Sequence, residues 1–375
     1  MRLAGYNCRG LGNRPAVRGL LALQKKVDPD ILFLSETKLD EARMEKFRWM
    51  LGLPHMIIKD CEGRSGGLAL FWRRGIKVSL RWKGRMHIDV DVEEEDGFQW
   101  RFTGIYGEPR QDKREETWRL LRTLHHQSNK PWMCIGDFNE IMFSFEKQGG
   151  APRAQSQMDN FRNVLDYCNL QDLGFEGDIF TWRNNKFRVD GYIRERLDRA
   201  VASPSWRARF PGFKVINGDP EHSDHRPVLV YLEGTVRNTQ LKNNGLNKRF
   251  EARWLAEEDC EEVIKNAWEL AGMRGETDVM GKLKVVSREL HIWSKEVIGD
   301  LQKRIKKLKD ELEVCRREGI TDVSIHKEQV LRYKLEKIED QWETHWKQRA
   351  HVAWLQNGDR NTSYFHSVAS ERKKT

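Results

Sequence analysis

Short apolar runs closed by polar residues alternate with helical spacings through the first part of the chain. Residues 3–8 read as a strand that runs into Asn7-Cys8-Arg9-Gly10-Leu11-Gly12-Asn13, a polar loop. Pro15 suits the first turn of a helix, and Val17, Leu20, Leu21 and Leu23 give that helix an apolar face. Residues 31–34 form a second run, too short for a helix, closed by Ser35-Glu36-Thr37-Lys38. Residues 66–72, 78–82, 87–92 and 100–106 follow as successive strands. Several alternate as in an antiparallel sheet with one face on the core. A helix is expected over 112–127, with Trp118, Leu121 and Leu124 on one side. Residues 132–135 then make another buried strand between Pro131 and Gly136. Met158, Phe161, Val164, Leu165 and Cys168 return to helical spacing, and further strands are expected at 180–182, 193–200, 215–216 and 228–232, with a helical turn over 203–210. The strand at 193–200 carries Arg194-Glu195-Arg196-Leu197-Asp198-Arg199, a charge density that reads as a solvated edge. A strand, a helix and a strand at the start, then strands among helices, place this part in the layered α/β class.

The pattern changes at 233–249, a polar stretch rich in Asn, Lys and Thr that reads as a linker. Residues 1–232 are thus expected as one domain and 250–375 as a helical extension. In the extension Cys260, Val263, Ile264, Ala267, Trp268 and Ala271 mark one amphipathic helix. Leu290, Trp293, Val297, Leu301, Ile305, Leu308, Leu312 and Cys315 recur at steps of three and four, residues 319–324 interrupt them, and Leu331, Leu335, Ile338, Trp342 and Trp346 resume. This predicts two long, coiled-coil-like helices in an antiparallel hairpin.

The 375 residues allow one large domain and an extension, and 38% hydrophobic against 33% charged residues allow a core with a very polar surface. No apolar run is long enough to span a membrane, and the first residues enter a strand rather than a signal-peptide pattern. Six scattered cysteines without a C-x-x-C pair speak against a zinc site or a disulfide framework, so the expected setting is intracellular, nuclear or cytoplasmic. The net charge of +9, spread over both parts, favours a polyanionic partner.

The polar residues at strand ends suit one chemistry. Asn7, Glu36, Tyr106, Asp137, Asn139, Asp198, Asp224 and His225 each lie at or beside the end of a predicted strand. Phosphodiester hydrolysis needs a divalent cation on a nonbridging oxygen, an activated water and help for the leaving oxygen. Mg²⁺ prefers hard oxygen donors and keeps several waters, which Glu36 with Asn7 nearby can accommodate. A carboxylate such as Asp198 can fix the tautomer of His225 and stabilise its cation.

In order and interval, Asn7, Ser35-Glu36-Thr37, Tyr106-Gly107, Gly136-Asp137-Phe138-Asn139, Arg196-Leu197-Asp198 and Ser223-Asp224-His225 resemble the endonuclease/exonuclease/phosphatase superfamily over residues 1–232. The loop 7–13, Phe180-Thr181-Trp182 and the segment 192–199 look most like the endonuclease domain of plant LINE-type (non-LTR) retrotransposons. The tail from Trp346 to Lys374 is similar to the segment that leads to reverse transcriptase in those elements, a polymerase that this sequence does not contain. The resemblance implies a DNase I-like four-layer α/β sandwich. It implies a metal at Glu36 with Asn7 beside it and Asp224 at a second metal position, Mg²⁺ as cofactor and Mn²⁺ as its substitute. His225 would be the general base or a phosphate contact oriented by Asp198. Asp137 and Asn139 would handle the attacking water or leaving group, Tyr106 would hold the phosphate, and Arg9, Thr181, Trp182 and Ser223 would bind substrate. The implied activity is a DNA endonuclease that nicks one strand and leaves a 3′-OH, with element RNA as a further partner of the extension. Arg9 stands where apurinic endonucleases carry an acid, which argues against an abasic-site role. A phosphatase or phosphodiesterase acting on a small or lipid phosphate, and an inactive relic that only binds nucleic acid, are the competing readings.

Overall fold

The computed structural model of the protein describes residues 1–63, 65–186, 188, 191–220, 222–233, 251, 254–255, 257–273, 278–297, 299, 301–317 and 320–350. The chain divides into two compact units, Met1–Val236 and Arg237–Thr375.

Two sheets carry the first unit. One runs in the order Glu176–Gly177, Lys214–Asn217, Val228–Tyr231, Arg2–Asn7, Ile31–Ser35, Ser65–Trp72 and His55–Glu62. The other runs Gln171–Asp172, Asp198–Ala202, Trp132–Asp137, Gln99–Tyr106, His87–Glu93 and Lys77–Gly84. Because side chains alternate along a strand, each apolar run serves two layers. Leu3, Ile31, Phe33, Leu68 and Leu70 meet Val90, Phe102, Met133, Ile135 and Ala200 between the sheets. Their alternates Ala4, Leu32, Leu34, Ala69 and Phe71 pack against Leu20 and Leu21 of the helix Arg14–Val27 and Met44 and Phe47 of the helix Glu41–Leu51. On the far side Ile105, Cys134 and Val201 meet Trp118, Leu121 and Leu124 of Glu115–His126 and Phe161, Val164 and Leu165 of Gln155–Tyr167. The result is helix, sheet, sheet, helix, the expected four-layer sandwich. The sheets approach closely at Gly104, where a Cβ would lie 2.1 Å from the ring of Phe33.

The helix Glu41–Leu51 and the strand His55–Glu62 were not expected from the pattern. The helix buries only Met44, Phe47 and Leu51 and is otherwise charged, although Asp40 caps its start and the left-handed Gly52 its end. The strand is a sheet edge whose exposed and half-buried positions blur the alternation. The strand expected at 180–182 shrinks to Trp182–Arg183 in a small third sheet.

The charged strand differs most. Instead of one solvated edge over 193–200, Arg194–Glu195 pairs with Lys147–Gln148 and Trp182–Arg183, while Asp198–Ala202 sits inside the six-stranded sheet. Arg194, Glu195, Arg196, Asp198 and Arg199 are all buried. Burial of so many charges holds because each meets a partner, Arg196 and Arg199 sharing Glu146 and Asp172.

Register then brings the polar strand ends to one edge of the sandwich. Arg2–Asn7 and Ile31–Ser35 run parallel with Asn7 opposite Ser35, and Gln99–Tyr106 and Trp132–Asp137 run parallel with Tyr106 opposite Asp137. Asp198 begins its strand opposite Asp137.

The second unit contains the helices Cys260–Met273, Val279–Val297, Leu301–Arg317 and Asp322–Ala350. The expected hairpin is present in Leu301–Arg317 and Asp322–Ala350, and its first arm is shorter than expected because the helix breaks at the left-handed Gly299, whose amide bonds back to Ser294 O. Trp254, Cys260, Ala267, Val286, Leu290, Leu301 and Ile338 form one core, and Leu312, Cys315 and Leu331, with Leu308 and Leu335, form the seam between the last two helices. Residues 234–249 of the expected linker and 351–375, with most of the segment similar to the approach to reverse transcriptase, lie outside the described residues. Among the described residues no helix is long and apolar enough to cross a membrane. All six cysteines are free.

Candidate active site

Asn7 holds the centre of the site. It is buried at the end of its strand, and its Nδ2 donates to Glu36 Oε1 at 3.0 Å and to Asp137 Oδ2 at 3.0 Å. Its Oδ1 accepts from the Arg9 amide at 3.1 Å, which fixes the orientation of the carboxamide. The amide nitrogen therefore faces the acids. In this geometry Asn7 clamps two carboxylates through its nitrogen, while its oxygen is engaged by the Arg9 amide.

Glu36 sits one residue beyond its strand with φ 52°, and Tyr106 Oη donates to its Oε1 at 3.1 Å. Lys38, absent from the sequence-based set, places Nζ 3.2 Å from Glu36 Oε2. Its signal was its place two residues after the acid. Burial works against the Glu36 anion, but the Asn7 hydrogen bond and the charges of His225 and Lys38 outweigh it and hold the carboxyl below its ordinary range. Burial and the neighbouring Glu36 and Asp137 push the Tyr106 phenol well up, so it stays a donor.

Asp137 Oδ1 accepts from the Asn139 amide at 2.9 Å, and Asn139, left-handed at φ 55°, donates from Nδ2 to Gly107 O at 2.8 Å. The aspartate and asparagine thus form a tight turn instead of projecting side by side. His225 is buried between two acids, with Nδ1 2.8 Å from Asp198 Oδ2 and Nε2 3.8 Å from Asp137 Oδ2. Burial alone would lower the imidazole pKa; Asp198 and Asp137 outweigh that and raise it to about 9. Burial and the Asp198 charge push Asp137 upward, against His225 and the Asn7 hydrogen bond. Asp198→Asn removes the strongest charge that favours the imidazolium. It is expected to lower the His225 pKa, read by NMR titration of the ring protons in metal-free protein; an unmoved titration would mean that the pair does not form in solution.

Thr181 and Ser223 support the site from behind. Thr181 is buried, and its Oγ1 accepts from the amides of Leu197 at 2.9 Å and Asp198 at 2.8 Å. Ser223 Oγ donates to Asn7 O at 2.8 Å and accepts from the His225 amide at 3.1 Å. Both were expected to bind substrate; here their hydroxyls bond to the backbone at Asp198 and His225. Asp224 Oδ2 is taken up by Trp182 Nε1 at 2.8 Å and by the Arg9 guanidinium. Asp224 thereby brings Arg9 and Trp182 together on one side of the site.

Among the described residues, seven non-glycine positions are left-handed, and five of them, Arg9, Glu36, Lys38, Asn139 and His222, lie in the loops that carry these side chains. Such backbone costs energy and concentrates where a site is held in a set geometry.

The donor set fits a hard divalent cation. Glu36 and Asp137 turn carboxylate oxygens toward one amide, while Asp137, Asp198 and His225 each bring one ligand-type atom within 4.8 Å of the others. Cys8 lies behind Glu36, but burial pushes its thiol up to about 12, so no thiolate competes.

Residues 4–225, more than half of the chain, match the family described as Endonuclease/Exonuclease/phosphatase family. The chain belongs to that family. No curated protein matches. Among solved structures, a 3′-5′ exonuclease from Neisseria meningitidis is 20% identical, with 62% of this chain and 100% of that one covered and a TM-score of 0.48. The endonuclease domain of TRAS1, a telomere-specific non-LTR retrotransposon, is 15% identical, covering 61% and 96% with a TM-score of 0.48. The AP endonuclease LMAP from Leishmania major is 15% identical, covering 61% and 86% with a TM-score of 0.49. Membership of a family of nucleases and phosphatases, with the cluster of Asp137, Asp198 and His225, supports a metal-dependent, phosphodiesterase-type enzyme.

Proposed function

We propose that this protein is a Mg²⁺-dependent DNA endonuclease of the LINE type that nicks one strand and leaves a 3′-OH. The observation that carries the reading is the convergence of Glu36, Asp137 and His225 on one edge of the sandwich, with Asn7 bonded to both acids and Asp198 bonded to the imidazole. The LINE-type motifs at 7–13, 180–182 and 192–199 and the net charge of +9 favour DNA as the polyanion.

Glu36 and Asp137 would hold the cation, which when bound polarises the phosphoryl oxygens and neutralises the developing charge. Asp137 lies where it can take a proton from the attacking water, kept in place by Asn7 and the Asn139 amide. His225, held as a cation between two acids, contacts the phosphoryl group, and Asp198 fixes its orientation. Tyr106 donates from its hydroxyl toward the same place, and Lys38 and Arg9 supply positive charge at its rim.

The test is supercoiled plasmid with Mg²⁺ or with EDTA. Nicked circles should form only with the metal, and the nicks should be extended by a DNA polymerase, which requires a free 3′-OH. Plasmid left intact under both conditions would overturn the reading. We assign this activity to residues 1–232 alone, because the last strand closes beside the first, with the Leu232 amide bonded to Met1 O at 3.0 Å. A 1–232 fragment is expected to unfold cooperatively and to nick in Mg²⁺. An insoluble or unfolded fragment would show that the helical unit completes the fold.

A further inference from the structure

The chain leaves the site at Asn139 and turns back at Glu146 toward the residues that precede Asp198. Both ends of this segment bond to the two residues that precede Asp198: the Phe138 amide donates to Leu197 O at 2.9 Å, and the Arg196 amide donates to Glu146 O at 2.9 Å. Both ends of the segment that carries the tip are therefore fixed to the chain that leads into Asp198. The base of the tip is anchored by buried charge. Glu140 pairs with Arg114 at 2.6 Å and Arg153 at 3.0 Å, and Glu146 pairs with Arg196 at 2.8 Å and Arg199 at 2.9 Å. Glu146 also reaches back to the Met142 amide at 2.6 Å, and Arg162 donates to Met142 O.

On this anchored tip stand two phenylalanines in solvent. Phe145 is 65% exposed and Phe143 40% exposed. Their rings stack in parallel, 5.3 Å between centroids and 7° between planes, and the Arg162 guanidinium lies 5.2 Å from the Phe143 centroid. Among the described residues of the first unit, no other exposed large apolar side chains stack on each other. Nothing in the fold needs these rings outside: Phe138 and Ile141 on the same segment are fully buried. Two flat, preorganised apolar faces with a cation on one side match a nucleobase, which is itself flat, polarisable and joined to a phosphate.

We propose that Phe143 and Phe145 form a stacking platform for a nucleobase that flanks the scissile phosphate. The proposal rests on the nuclease reading above. The platform acts on binding and on the choice of site; the rings touch no reacting atom. It would favour sequences or structures in which the flanking base is easily unstacked from its neighbours, since taking a base out of the stack costs least where pairing and stacking are weak.

The experiment compares the full chain with Phe143→Ala/Phe145→Ala and with Phe145→Trp, in Mg²⁺, on a duplex that the wild type nicks. In the double variant KM should rise about 5- to 150-fold while kcat changes little, as expected for loss of base stacking. Phe145→Trp should keep the wild-type KM, because the larger ring stacks at least as well. The salt dependence of binding should keep its slope, because no phosphate contact is lost, whereas removal of a phosphate-binding cation would flatten it. The unfolding midpoint should not fall, because the rings are exposed. An unchanged KM in the double variant would overturn the platform and leave the nuclease reading standing. So would a change of oligomeric state without a change in KM, which would make the rings a contact between copies of the chain. A wild type that neither binds nor nicks DNA would overturn both.

Discussion

His225→Ala lowers Mg²⁺-dependent nicking by about 10²–10⁴-fold, the usual effect of removing one electrostatic or proton-transferring group from a site. The imidazole stands between Asp198 and Asp137, and no other described side chain touches both. Without it the two carboxylates face each other with no cation between them. Asp137 is already pushed upward by burial and by Asp198, so in the variant it takes up a proton and relieves the repulsion. The fold is therefore expected to survive while the chemistry is lost. Glu36→Ala should cost as much in rate but by a different route. In the proposed mechanism Glu36 holds the metal, so the more conservative Glu36→Asp should recover activity as Mg²⁺ is raised, whereas His225→Ala should not respond to Mg²⁺. The measurement is the initial nicking rate across a Mg²⁺ titration, with a thermal unfolding curve for each variant. A His225→Ala protein that nicks at close to the wild-type rate would remove this residue from the mechanism.

The meeting of these polar residues at one edge was largely legible in the sequence because strand ends are local signals. A short apolar run that stops at Glu36 or at Asp137 says where an acid emerges, and parallel pairing then places both at one edge. Orientation was not legible. That Asn7 turns its nitrogen toward the acids, and that Asp224 is occupied by Arg9 and Trp182, depend on partners from elsewhere in the chain. The same limit hid the backbone amides of Leu197 and Asp198 that bond to the Thr181 hydroxyl. The layered core followed from period-two alternation, whereas the narrow stripe of Glu41–Leu51 was hidden by its charges. The helical stripe of the second unit runs on through residue 301 in register, which is why the break at Gly299 left little trace in its apolar spacing.

The segment 194–199 shows this limit most sharply, and it carries the largest expected effect on stability. Glu146 is buried and receives Arg196 at 2.8 Å and Arg199 at 2.9 Å, while the same arginines each reach Asp172 at 2.8 Å. Burial would raise the Glu146 carboxyl, but Arg199 and then Arg196 outweigh it and hold the group below its ordinary range; Asp172 is lowered by the same two cations against its own burial. Glu146→Gln keeps the shape and removes the charge, which leaves two buried guanidinium groups to share Asp172. Breaking such a buried pair typically costs about 3–5 kcal/mol at neutral pH. The sign with pH follows from the lowered carboxyls. Their contribution is fully present above the unfolded values of about 4.3 for Glu and 3.9 for Asp, and it is lost as pH falls through the still lower folded values. The wild-type advantage over Glu146→Gln should therefore be constant above about pH 5 and shrink below about pH 4, where protonated glutamate resembles glutamine. Urea unfolding of both proteins at several pH values measures the difference. A gap of under about 1 kcal/mol at pH 7, the scale of an exposed pair, would mean that water reaches the network. A gap that did not close in acid would mean that the loss came from altered packing and not from the charge.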